Sequence, residues 1–154
     1  MVPPQHLPLA IALTSVPHGQ LFWAWIALCL VLALHVIDEA ATGFLSVYNP
    51  TVMVLRQRRP WFPMPVFTFG VWLAGLVAAV VLLLCLSVFV LRGDRWMRPI
   101  GYVFAVIMLG NGLAHIAGTI LGRTVASVRF SRPMPGFYSS PLMILASLYL
   151  LCEL

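Results

Sequence analysis

The sequence has no lysine and only four acidic residues among its 154 positions. Charged residues make up 8% of the chain and hydrophobic residues 62%, whereas about a quarter of the residues of a soluble domain are charged. So few charges cannot cover a water-facing surface. The composition therefore excludes an ordinary soluble domain and predicts an integral membrane protein, with residues 1–154 forming a single membrane domain.

Cysteine is scarce and is not spaced for a structural site. Cys29, Cys85 and Cys152 each lie in an apolar run, their number is odd, and no C-x-x-C spacing occurs. This pattern argues against a disulfide framework and against a zinc cluster held by cysteine.

Four apolar stretches, at about residues 21–45, 66–91, 100–121 and 137–154, are separated by segments rich in proline, glycine and arginine. A helix needs roughly 20 residues to cross the hydrocarbon core of a bilayer, and the fourth stretch is slightly short. The predicted fold is all-α, a four-transmembrane-helix bundle. Residues 1–20 lack the basic start of a secretory signal, so we expect them to form a short lead outside the membrane.

Arginine and tryptophan mark the predicted helix ends. The first and third loops carry six arginines and the second carries three, which favours a cell-membrane protein with the first and third loops in the cytoplasm. Membrane lipids are the expected partners of these charges, and nucleic acid is not, because no aromatic–basic surface accompanies them. The tryptophans expected at the membrane interface are Trp23, Trp25, Trp61 and Trp96.

The first polar cluster lies in the second half of the first predicted helix. His35, Asp38 and Glu39 share one helix face, because positions i, i+3 and i+4 lie on the same side, and Thr42 extends that face. Ionisable side chains are costly inside a membrane and normally face the bundle interior or a wet cavity. We therefore expect this face to line a site.

The second polar cluster lies in the third predicted helix, where Asn111 and His115 are four residues apart. His35 lies about 21 Å along its helix from Leu21, and His115 lies about 22 Å along its helix from Ile100. The two histidines should therefore lie at similar depth and form one pocket with Asp38, Glu39 and Asn111. Small residues that border the second cluster predict close approach of a neighbouring helix, and they are Gly110, Ala114, Gly118 and Gly122.

These motifs resemble those of the HXXEE family of small bacterial membrane proteins. His35-x-x-Asp38-Glu39 is similar to that family's signature, with Asp38 in place of its first glutamate, so that this carboxylate is one methylene shorter. Asn111-Gly-Leu-Ala-His115 resembles its second polar motif, and Arg132-Pro-Met-Pro-Gly136 resembles the turn before its last helix. The resemblance implies an integral membrane protein and leaves its reaction open.

Two kinds of enzyme chemistry fit the predicted pocket. In the first, His35 and His115 act as general acid and base, Asp38 or Glu39 holds or orients a proton, and Asn111 orients an imidazole or a substrate oxygen. In the second, His35, Glu39 and His115 bind a single divalent metal ion and leave a coordination position open. Either enzyme would act on a lipophilic substrate, because access is from within the bilayer.

Non-enzymatic interpretations remain open at the level of sequence. The same residues could bind a small ligand or relay protons, in a monomer or a homo-oligomer. The carboxylates could instead be hydrated at the interface and paired with Arg56 or Arg123. Asn111 and His115 could serve only as hydrogen-bonding groups between helices.

Overall fold

The computed structural model describes residues 17–154 and is all-α over that range, as predicted. Three of its helices are long and apolar enough to cross a membrane, over Gly19–Thr42, Phe69–Leu91 and Met97–Leu121, which makes the chain a multi-pass membrane protein. Residues 1–16 of the predicted lead lie outside the described residues, and residues 17–20 begin the first helix. The five helices are α1 (Pro17–Thr42), α2 (Leu45–Arg58), α3 (Phe69–Leu91), α4 (Met97–Leu121) and α5 (Ser140–Glu153).

Helix α2 occupies a stretch where the sequence predicts a connection. Gly43 ends α1 with a positive φ of 76°, a conformation that glycine adopts without a Cβ clash. The chain then turns and becomes helical again despite Pro50 within α2. Tertiary contacts outweigh the proline: Val47 and Val52 are buried, and the Asn49 amide exchanges two hydrogen bonds, of 2.9 and 3.1 Å, with the backbone of the segment before α3.

Helix α1 is the centre of the bundle. It packs along α3 and α5, and α4 packs along α5, whereas α1 and α4 meet over a short stretch only. Trp25 is 1% exposed and donates a 2.9 Å hydrogen bond from Nε1 to the Leu83 carbonyl. The interfacial position expected for Trp25 is therefore wrong, because this residue lies on the face of α1 that α3 covers.

Helix α5 runs antiparallel to α4 and begins level with its middle. A Cβ on Gly112 would lie 3.1 Å from the Ser140 carbonyl, and one on Gly101 would lie 2.7 Å from Leu154. Residues 122–139 therefore leave the end of α4 and return into the bundle before α5 starts. Helix α5 has 14 residues and is about 21 Å long, shorter than the roughly 30 Å hydrocarbon core.

The close approach of helices predicted at Gly110, Ala114, Gly118 and Gly122 is not observed. A Cβ on Gly110 would meet nothing within 4 Å, and the atom closest to one on Gly118 belongs to Met134, in the returning segment. Gly112 takes the predicted role, two residues and about 200° round the helix from Gly110. The sequence could not show which face of α4 meets α5.

Candidate functional site

The centre of the site is formed by His35 and Glu39 of α1 and His115 of α4, where these helices meet. All three residues are buried, with exposures of 1, 5 and 2%. Glu39 Oε1 lies 3.5 Å from His35 Nε2 and 3.2 Å from His115 Nε2. The imidazole centroids are 4.8 Å apart with the rings edge to face, so the two polar clusters form one site.

Asp38 points away from this centre and hydrogen bonds to Ser139, the residue before α5. Asp38 Oδ2 accepts bonds from the Ser139 backbone N–H (2.9 Å) and from its hydroxyl (2.8 Å). Ser139 Oγ also lies 2.7 Å from His35 Nδ1. Asp38, Ser139 and His35 thus form a continuous hydrogen-bonded chain at the edge of the centre.

With Asp38 ionised, this chain favours one tautomer of His35. An ionised carboxylate only accepts hydrogen bonds, so the single hydroxyl proton of Ser139 is donated to Asp38. His35 Nδ1 must then carry a proton and donate it to Ser139 Oγ, which leaves Nε2 of the neutral ring with a free lone pair. The Asn111 amide nitrogen lies 3.2 Å from this Nε2 and can donate to it. The second nitrogen of a metal-binding histidine is commonly fixed in this way.

The non-helical backbone of the returning segment is held by side chains of α1 and α4. Non-helical backbone inside a membrane protein must find hydrogen-bond partners within the protein. The Met134 N–H donates to Thr119 Oγ1 (3.0 Å) and the Gly136 N–H donates to Thr42 Oγ1 (3.2 Å), and Asp38 accepts from Ser139. Asp38 therefore positions this segment as well as His35.

Gly136 closes the site on the side of the returning segment. A Cβ at this position would lie 2.8 Å from His115 Cε1 and 3.0 Å from Glu39 Cγ, and its φ is 83°. Both the close approach and the positive φ require glycine. His115 Nδ1, on the same side, is buried and has no hydrogen-bond partner among residues 17–154.

The carboxylates are not paired with arginine. Within residues 17–154, the ion-pair partners of Glu39 are His35 and His115, and Asp38 is bound by Ser139. The alternative in which Arg56 or Arg123 neutralises these groups is therefore wrong for the described structure. A buried charge requires compensation, and in this site the nearest groups able to provide it are the two imidazoles.

Two cavities lie beside the centre and share Phe44. The larger, of about 400 Å³, lies against the C-terminal half of α4, and its lining includes Ala114, which precedes His115, and Gly118, which lies three residues after it. The smaller, of about 160 Å³, reaches Glu39. The Phe44 ring lines both, and its centroid is 5.9 Å from that of His115.

His35, Glu39 and His115 lie together as the sequence predicted, with Asn111 beside them. Asp38 was predicted to share the same face, but its carboxylate turns to Ser139. Ser139 was not predicted as a site residue. Ser139 lies on non-helical backbone, where neither helical periodicity nor depth along a helix gives a signal. No family model, curated protein or solved structure matches this chain.

Proposed function

We propose that this chain is an integral membrane enzyme that binds one divalent metal ion through His35, Glu39 and His115. The observation that carries the proposal is the convergence of two imidazole Nε2 atoms on one carboxylate oxygen, in a buried place between two helices. The reaction would be metal-assisted acid–base chemistry on a lipophilic substrate that enters from the bilayer.

The spacing of the ligand atoms supports a metal centre. One ligand atom from each residue can be chosen so that all three lie within 4.8 Å of one another. Ligands at the usual Zn–N and Zn–O distances of about 2.0–2.1 Å are roughly 3.3 Å apart in a tetrahedron, and the two N···O distances are 3.5 and 3.2 Å. Small side-chain rotations would therefore complete the coordination.

Charge and hydrogen bonding support the same assignment. Glu39 is a buried carboxylate, and a divalent cation would compensate its charge. His35 Nε2 lies 3.5 Å from Glu39 Oε1 and 3.2 Å from the Asn111 amide nitrogen. A metal ion bound between His35 and Glu39 would replace the Asn111 amide as the partner of the Nε2 lone pair.

A set of two histidines and one carboxylate leaves at least one coordination position for a water molecule or a substrate oxygen. When bound, the metal would act as a Lewis acid on that oxygen. Asn111, which is half-buried beside His35, would then be free to orient the substrate.

The topology that fits this function has four membrane crossings, with the first and third loops in the cytoplasm. In this arrangement residues 134–139 and α5 cross together, because the segment before α5 already lies level with His115. Membership of the HXXEE family is part of the proposal, on the motifs around His35, Asn111 and Gly136.

A metal-free site is the second candidate, favoured by the 3.2 Å distance between His115 Nε2 and Glu39 Oε1. This distance allows a direct hydrogen bond, so the pair could act as a general acid and base. A non-enzymatic module that binds a ligand or couples to protons would use the same pair, and it differs in forming no product.

Metal content distinguishes the first candidate from the others. Protein purified in detergent is stripped with chelator, loaded with Zn²⁺ or Co²⁺, and analysed for metal content and for the visible bands of tetrahedral Co²⁺. We expect about one ion per chain and a loss of affinity of roughly 100-fold or more in Glu39→Gln. Glu153→Gln, at the far end of α5, is the matched control and should bind like the wild type. Equal metal binding by the two variants would exclude this centre.

A further inference from the structure

The cavity of about 400 Å³ has an apolar part beside the centre and a polar rim. Ala114, Ala117 and Leu121 line the side formed by α4, and Phe44 and Val47 line the opposite side. At the rim, Thr51 of α2 donates a 3.1 Å hydrogen bond to Thr124 of the returning segment, and Ser127 and Arg123 lie nearby.

Charge at the rim indicates the kind of ligand. Arg123 is the charged residue among the described residues that line the cavity, and it is exposed, so it can turn to an anionic group. Burial raises the pKa of the Tyr48 phenol, which also lines the cavity, while Arg56 acts in the opposite direction. The rim therefore presents hydroxyl groups and the positive charge of Arg123, with Arg129 opposite it in an antiparallel bridge.

Size and shape restrict the ligand further. A volume of about 400 Å³ lies at the small end of the range of about 300–1,000 Å³ for small-molecule sites. From Ala114 to Leu121, the last residue of α4, the helical rise corresponds to about 11 Å, so the lining runs along the helix axis. These dimensions fit a single extended chain rather than a lipid with two chains.

We propose that this cavity binds a single-chain amphiphile with an anionic head group, with the head at Arg123 and the chain directed toward Phe44. The proposal that an amphiphile binds here depends only on the lining and size of the cavity. The further statement that this amphiphile is the substrate rests on the proposed function, because it requires the chain to reach the centre at Glu39 and His115.

Phe44 is placed to separate the ligand from the centre. It lines both cavities, and its ring centroid lies 5.9 Å from those of His115 and Trp72. It belongs to the short connection between α1 and α2, next to Gly43, whose φ is positive. The bound chain would reach Glu39 past Phe44, the residue that the two cavities share.

Photolabelling tests the cavity with a probe of known chemistry. A medium-chain fatty acid with a diazirine near the end of its chain, and the corresponding alcohol, are added to the protein in nanodiscs, and labelled residues are mapped by mass spectrometry. We expect the acid to label residues around Phe44 and Ala114. Ala117→Trp fills the cavity and should reduce this labelling at least tenfold. Ala78→Trp, at an exposed position of the membrane helix α3, is the matched control and should label normally.

Arg123→Gln tests the head group without filling the cavity. We expect roughly tenfold weaker labelling by the acid, as for loss of one charge-assisted contact, and no change with the alcohol. Arg95→Gln, which removes an exposed arginine of the loop between α3 and α4, outside the cavity lining, should behave as the wild type. Equal labelling of the cavity in Ala117→Trp and Ala78→Trp would show that the amphiphile does not bind in this cavity. Equal loss of labelling by the acid and the alcohol in Arg123→Gln would show that Arg123 does not recognise an anionic head group.

Zinc content measured on the same samples separates the two proposals. Retained metal with lost labelling in Ala117→Trp supports the cavity as a ligand site distinct from the centre. Absence of metal in wild-type protein that still labels at Phe44 would overturn the metal centre and leave the amphiphile site standing. Metal binding without any cavity labelling in the wild type would overturn the amphiphile site alone.

Discussion

Replacing Ser139 with alanine removes one oxygen atom from the site and is expected to destabilise the protein by about 2–3 kcal/mol. The hydroxyl bridges Asp38 Oδ2 at 2.8 Å and His35 Nδ1 at 2.7 Å. Asp38 keeps its bond from the backbone N–H of residue 139, but His35, which is 1% exposed, loses the partner of Nδ1. A buried polar group left unsatisfied costs about 1–3 kcal/mol, and hydrogen bonds to charged groups contribute about 1.5–3 kcal/mol.

Ser147→Ala is the matched control, because Ser147 is also a fully buried serine, within α5, and its Oγ has no hydrogen-bond partner in the part of the chain that the structure describes. Its loss should change stability by less than about 0.5 kcal/mol or stabilise the fold slightly. The assay is reversible unfolding in mixed micelles of increasing denaturing-detergent fraction, followed by tryptophan fluorescence. Metal affinity should also fall by about 10–100-fold in Ser139→Ala, as for other groups that orient a metal ligand. Equal stabilities of the two variants, within about 0.5 kcal/mol, would refute the hydrogen-bonded chain.

Two further substitutions test the packing around the site. Gly136→Ala should lower the free energy of unfolding by about 2 kcal/mol or more, because its Cβ would lie 2.8 Å from His115 and its positive φ alone costs about 1–2 kcal/mol. Gly70→Ala in α3, where a Cβ meets nothing within 4 Å, should be neutral or stabilising. A similar effect at both positions would contradict the close approach of Gly136 to His115. Trp25→Phe should lower the free energy of unfolding by about 1–2 kcal/mol in the same assay, because it removes a half-buried hydrogen bond from Nε1 to the backbone of α3. Trp23→Phe, at a position that is 64% exposed, should have little effect, and equal losses would argue against the buried position of Trp25.

Helical periodicity and depth were sufficient to predict that the histidines meet. The i, i+4 spacing puts His35 and Glu39 on one face, and equal distances along two helices put His115 at the same level. A regular helix and a bilayer of fixed thickness are sufficient for both predictions. Neither depends on packing of α1 against α4 along their whole length, and the two helices touch over a short stretch only.

Helical periodicity and depth could not predict the path of the returning segment. Its path depends on hydrogen bonds from backbone N–H groups to Asp38, Thr42 and Thr119, which link residues about 15 to 100 positions apart. The pattern of apolar residues in 122–139 gives no indication of these partners. Helix α2 was missed for a similar reason, since the local signal of Pro50 was outweighed by the buried contacts of α2 and by the bonds of Asn49 to distant backbone.

Composition and periodicity were enough to predict a membrane protein, its apolar helices and its buried polar residues, because the cost of placing charge in a membrane leaves few alternatives. How those polar residues are used depends on the tertiary structure. It turned Asp38 toward Ser139, brought Gly136 against His115, and left a cavity beside the centre. These outcomes depend on the rotation of each helix about its axis and on non-local hydrogen bonds, and neither is encoded in the spacing of residues along one helix.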